Sequence, residues 1–148
     1  MTATRLLKFF KEFSKYHDCR YTSLAAEHGL SMREVHVLLF LANNPACDTA
    51  RSITEYRGLS KSQVSQAVEF LSEMDLLLRK TDHDDRRVIH LSLTAEGRAI
   101  AEKAQAIQSD CMQELVAGMS DDQIGYMEKA LRNLQKYLGD SPVTLRTK

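Results

Sequence analysis

Two stretches of this chain carry side chains suited to reading the hydrogen-bond pattern of another molecule. In the first, Lys61, Ser62, Gln63, Ser65, Gln66 and Glu69 alternate with Val64, Ala67, Val68 and Leu71. The apolar four fall at i, i+3, i+4 and i+7, which predicts a helix with one face packed inward. The other face then offers a cation, hydroxyls and amides. An amide can bond adenine bidentately in a major groove, and cations and hydroxyls reach phosphates. Ser60 is a suitable N-cap, and Gln63 three residues on completes a capping-box pattern, so the helix is expected over 60–74.

The second stretch is a predicted hairpin. Leu77 to Lys80 is a short first strand, Asp82-His83-Asp84-Asp85-Arg86 a polar tip, and Arg87 to Leu93 a returning strand. The return alternates, with Ile89, Leu91 and Leu93 on one face and Val88, His90 and Ser92 on the other. Arg86 and Arg87 would exploit the negative potential of a narrow minor groove, with Asp85 orienting Arg87. Thr94 can cap the following helix.

Asp85, Arg87, then Leu93, Thr94 and Gly97 meet the wing pattern Asp-x-Arg, five residues, Leu-Thr-x-x-Gly, and Asp82, Asp85, Arg86 and Arg87 meet a second form of the tip. In these residues the chain resembles the MarR family of winged helix-turn-helix regulators, and the resemblance extends over nearly its whole length. It implies a mainly α fold with a two-stranded antiparallel wing. Residues 31–98 would form the DNA-binding lobe, and residues 1–30 and 99–148 the dimerisation helices. It also implies a homodimer on a pseudo-palindromic double-stranded DNA operator, acting as a repressor that answers to a small aromatic effector. Three positions depart from the family pattern. Asp75 stands where a Gly usually precedes the wing, Phe70 where a basic residue is common, and the tip is unusually acidic. Phe70 is expected to pack beside the wing.

Charge argues against this reading. The net charge is zero, and residues 49–98 hold eight basic and eight acidic side chains. Binding to DNA must then depend on placing the cations on one surface.

The supporting elements follow from periodicity. Residues 4–28 read as one long helix whose Leu6, Leu7, Phe9, Phe10, Phe13 and Tyr16 make a stripe too broad for one small neighbour. Gly29 ends it. Ser31 and Glu34 open a second helix by a capping box, with Val35 to Leu41 at the centre of the core. Asn43-Asn44-Pro45 ends it. Asp48 or Thr49 caps a short third helix to about Arg57, whose Ile53 and Tyr56 are expected to pack on the recognition helix. Residues 95–117 carry a sparse apolar line, Ile100, Ala104, Ile107, Cys111 and Leu115. Ser120 and Gln123 start a last helix, Asp121 to Leu138, with Ile124, Met127, Leu131, Leu134 and Leu138 on one face. Gly139 to Pro142 ends it, and the last six residues form a loose tail.

An effector pocket would be lined by Tyr16, His17, Tyr21 and His36. Cys19, Cys47 and Cys111 are too few and too widely spaced for a disulfide framework or a zinc finger. Cys19, between His17 and Arg20, is the candidate for a redox thiol, because nearby positive charge favours the thiolate. The helix after the wing has no histidine, so no metal site is expected, and no cofactor either. There is no Gly-rich phosphate loop or nucleophile motif, so an enzyme is not expected. No apolar run reaches the roughly 20 residues of a membrane span, and Met1 to Phe13 lacks a signal-peptide core, which makes the cytoplasm the default. The remaining alternatives are a thiol-sensing regulator and a winged-helix protein-interaction module without DNA binding.

Overall fold

A computed structural model describes residues 2–138. Its elements are α1 (Ala3–Cys19), α2 (Thr22–Glu27), α3 (Met32–Asn43), α4 (Ala50–Arg57), α5 (Lys61–Glu73), β1 (Leu77–Thr81), β2 (Ile89–Leu93), α6 (Ala95–Val116) and α7 (Asp121–Leu138). The architecture is mainly α with one two-stranded antiparallel sheet. The turn and tail expected beyond Leu138 lie outside the described residues.

The core forms around α3. Val35 and Val37 to Leu41 are all buried there, and α5 and α6 pack on it. From α5 come Val64, Ala67, Val68 and Leu71, and from α6 Ile100, Ala101 and Ala104. Glu34, the one buried charged residue among those described, is occupied by its cap, with Oε2 accepting from the Ser31 N–H at 2.6 Å.

The expected first helix is in fact two. Residues 4–28 break at Arg20 and Tyr21, where Thr22 Oγ1 donates to the Cys19 carbonyl at 2.9 Å and Arg20 is drawn to Glu114 on α6 at 2.6 Å. Tyr16 Oη donates to the same carboxylate at 2.7 Å, so the end of α1 is fastened to α6. Upstream of that fastening the aromatic stripe of α1 is open to solvent, with Leu7 69% exposed. On α7, Tyr126 is 75% exposed and Leu131 and Leu134 about half exposed.

The Tyr56 ring lies against Phe40 of α3, with centroids 5.1 Å apart. Ile53 alone of the expected pair is buried. It sits on α4, which packs against α5.

Candidate nucleic-acid interface

The helix predicted over 60–74 spans Lys61–Glu73, with Ser60 as N-cap. Ser60 Oγ accepts from the Gln63 N–H at 3.2 Å, and Gln63 Oε1 accepts from the Ser60 N–H at 2.9 Å. The capping box therefore occupies the acceptor of one of the two amides expected to read bases. Lys61, Ser62, Gln63, Ser65, Gln66 and Glu69 form a continuous exposed face opposite the buried one. Gln66 is held as well. Arg33 on α3 donates from Nη1 to Gln66 Oε1 at 3.2 Å, a partner that the sequence did not disclose.

A tight corner joins this helix to the wing. The Leu76 N–H bonds the Leu71 carbonyl at 2.9 Å and the Asp75 N–H the Ser72 carbonyl at 3.2 Å, a Schellman ending with Leu76 and Leu71 both buried. It requires Asp75 at φ 55, a left-handed conformation that Asp tolerates better than most side chains. The Leu76 carbonyl then accepts from the Thr94 N–H at 3.2 Å and lies against Gly97, where a Cβ would collide with it. Thr94 caps α6 by accepting from the Gly97 N–H at 3.0 Å. The Leu-Thr-x-x-Gly part of the wing pattern thus marks the seam between corner and helix.

In the wing, β1 pairs with β2 from Leu77↔Leu93 to Thr81↔Ile89. Alternation leaves Leu91 buried and Leu93 half-buried, but Ile89 runs off the core and is exposed. The acidic tip is largely turned in on itself. Asp82 Oδ1 accepts from the N–H groups of Asp84 and Asp85, both at 2.8 Å, and its Oδ2 lies 2.9 Å from His90 Nε2. These donors hold the Asp82 carboxyl down at about 2. Asp85 Oδ1 accepts from the Arg87 N–H at 3.0 Å. It acts on the backbone of Arg87, and among the described residues neither Arg86 nor Arg87 has an ion-pair partner. Both guanidinium-bearing residues are exposed. Balanced composition therefore does not mean balanced presentation. Asp84 stays in solvent, paired only with His83. Phe70 is 37% exposed on the outer face of α5.

Away from this surface, a cavity of about 550 Å³ opens between α1, α3, α4 and α6. His17 and His36 line it, together with Asp18, Tyr56, Arg57 and Gln108. Tyr21 does not line it, being fully buried behind His17, with Oη 3.0 Å from His17 Nε2. Burial pushes its phenol up to about 12. Tyr16 points elsewhere, to Glu114. His36 Nε2 lies 3.1 Å from Asp18 Oδ1. Burial, and then the Arg57 charge, push its pKa down, so the ring is neutral near pH 7. Arg57, which sequence reasoning passed over, is half-buried at this cavity, and burial lowers its pKa from the ordinary value.

Cys19 is exposed and its thiol donates to the Tyr16 carbonyl at 3.0 Å. Arg20, the cation expected to favour its thiolate, is paired with Glu114. Among the described residues no group of three His, Cys, Asp or Glu side chains could hold a metal ion, and no helix is long and apolar enough to cross a membrane.

Comparison with known proteins agrees with this geometry. The sequence model of the MarR family matches residues 28–87. The HTH-type transcriptional regulator TcaR of Staphylococcus aureus is 29% identical over 112 residues, covering 73% of this chain and 72% of its own length. A MarR transcriptional regulator from Methanosarcina mazei superposes with a TM-score of 0.75 at 18% identity, over 90% of this chain and 96% of that one. The chain in the Staphylococcus aureus MepR–DNA complex superposes at 0.73 with 20% identity, over 93% of this chain and 98% of that one.

Proposed function

We propose, for a chain whose residues 28–87 match the MarR family model, the role of a dimeric, sequence-specific DNA-binding transcriptional regulator of that family. The observation that carries it is the joint presentation of two elements. The exposed amide and hydroxyl face of α5 stands beside a wing whose Asp82 and Asp85 are consumed internally while Arg86 and Arg87 stay free. Lys61, Ser62, Ser65 and Gln66 would enter the major groove, with Gln63 joining them when its cap bond opens. Arg86 and Arg87 would lie in the adjacent minor groove, where a narrow groove attracts guanidinium groups. The open apolar faces of α1 and α7 support a two-fold dimer, with residues 31–98 as the DNA-binding lobe and the flanking helices as the dimer contact. Its half-sites would lie about one helical turn apart on a pseudo-palindromic operator. The DNA in the MepR complex supports the same choice of partner.

The cavity beside Arg57 supports ligand control. A half-buried guanidinium, two imidazoles and Tyr56 suit a small aromatic acid whose carboxylate meets Arg57. Release of DNA on binding, as in a repressor of the cytoplasm, is the expected response. The reading is of a regulator and not an enzyme.

The test is a mobility-shift titration against the DNA upstream of the protein's own gene, at several salt concentrations. Binding should be tight at low salt and fall steeply as salt rises. No binding at low salt would overturn the reading and leave a winged-helix protein-interaction module.

A further inference from the structure

On β2, both ring nitrogens of His90 face carboxylates. Nδ1 lies 2.9 Å from Asp48 Oδ2 and 3.0 Å from Asp48 Oδ1, and Nε2 lies 2.9 Å from Asp82 Oδ2. A neutral imidazole carries one N–H and one lone pair, so it would turn that lone pair towards an anion. Two carboxylate partners therefore select the doubly protonated ring. Asp48 belongs to the loop between α3 and α4, and Asp82 to the wing tip. The backbone follows the same path, with the Leu91 N–H bonded to the Asp48 carbonyl at 2.7 Å and Thr49 bridged to His90.

We infer that His90 is the positioning residue of the wing: as an imidazolium it clamps the wing tip to the α3–α4 loop, and on losing a proton it lets the tip go. The consequence for DNA rests on the function proposed above.

The charges that act on His90 come from Asp48 and Asp82, and both raise its pKa above the ordinary value, while burial opposes them. Lys80 of β1 is paired with it in register. Asp84 and Asp85 of the tip lend backbone N–H groups to Asp82. Arg51 of α4 is turned to Glu55, and the last turn of α3, from Phe40 to Asn43, has no charged residue. The sign follows. With its folded pKa raised, the clamp is complete below the ordinary histidine value of about 6.5 and is lost as pH rises through the folded value. Deprotonation also changes the net charge of the three side chains from −1 to −2. That places new negative charge at the wing, beside the phosphates that Arg86 and Arg87 would approach.

The experiment is a nitrogen-15 NMR titration of the full chain from pH 5.5 to 9, reading the His90 ring and the amides of Asp84, Asp85 and Arg87. Both ring nitrogens should be protonated at pH 7, and the wing amides should shift and broaden with the ring's own midpoint. Asp48→Asn should lower that midpoint, His90→Gln should abolish the step in the wing amides, and His83→Gln should leave it in place. Operator affinity, followed by fluorescence anisotropy over the same range, should fall on the order of tenfold through that midpoint, and His90→Gln should flatten the fall. A ring that is neutral at pH 7, wing amides without a step, or a step that survives in His90→Gln overturns the clamp. Operator binding that ignores the step overturns its role in reading. If the NMR steps appear but DNA is bound at no pH, the clamp stands and the DNA-binding function falls.

Discussion

Arg33 and Gln66 meet across the α3–α5 packing, with the guanidinium Nη1 donating to the amide oxygen at 3.2 Å. The contact fixes which way the amide faces. Gln66 keeps its NH₂ free, and its oxygen must be shared or surrendered when it meets adenine. Gln66→Ala should cost about 1–3 kcal/mol on the preferred operator and relax preference at one base position per half-site. Arg33→Ala should blur the same position at smaller cost. A binding series on a randomised operator library measures both. A uniform loss on every sequence would show that Gln66 does not read bases.

Arg87 should fail differently. Arg87→Ala should weaken all sequences together and lower the salt slope by about one unit per half-site. Asp85→Ala removes the anchor of the Arg87 N–H but no cation. It should weaken binding less and leave the slope near the parent's. Affinity at two salt concentrations separates these outcomes.

The exposed faces of α1 and α7 predict a dimer at micromolar concentration. Leu131→Asp and Phe10→Asp should each shift light scattering towards the monomer mass. DNA affinity should fall with the mass, because one half-site then holds alone. A monomer in the parent chain would remove the geometry proposed for the operator.

The corner between α5 and β1 gives a prediction about stability. Gly97→Ala pushes a methyl into the Leu76 carbonyl, and backbone must move, at about 1–3 kcal/mol. Asp75→Val places a branched side chain at φ 55, at about 1–2 kcal/mol. Urea unfolding followed by circular dichroism reads both. A neutral Gly97→Ala would contradict the close approach.

A thermal-shift series with benzoate-like acids tests the cavity. A ligand at about 100 times its Kd stabilises by about 2.7 kcal/mol. Arg57→Ala should remove that shift while leaving the unliganded protein folded. An equal shift in the variant would place the ligand elsewhere.

The recognition helix and wing were legible because their signals are local. Ser60 with Gln63 and Thr94 with Gly97 are local and appear as bonds, and the alternation of β2 is realised at Leu91 and Leu93 though not at Ile89. The break after α1 was not legible. Thr22 and Arg20 make it, but no Gly or Pro marks it, and Arg20 and Tyr21 keep right-handed backbone angles, so the apolar spacing runs through undisturbed. Partners distant in sequence were equally invisible. Arg33 lies 33 residues from Gln66, and Asp48 lies 42 from His90. Both pairs exist only once α3 and its following loop are folded against the reading elements. Tyr16 and Tyr21 were misplaced for the same reason, since helical spacing does not say which neighbour an aromatic ring will meet.

The close approach of Gly97 to the Leu76 carbonyl has a mechanical meaning. With no side chain between them, the first turn of α6 and the corner after α5 meet backbone to backbone. α6 is 22 residues long and so reaches about 33 Å from that contact. A tilt of about 5° at the corner carries its far end through about 3 Å, by the same helix geometry. A helix that long, seated on so tight a fulcrum, works as a lever. In the dimer proposed above, displacement of its distal end would be delivered to α5 as rotation, and the distance between the two copies of α5 would become a function of that one angle.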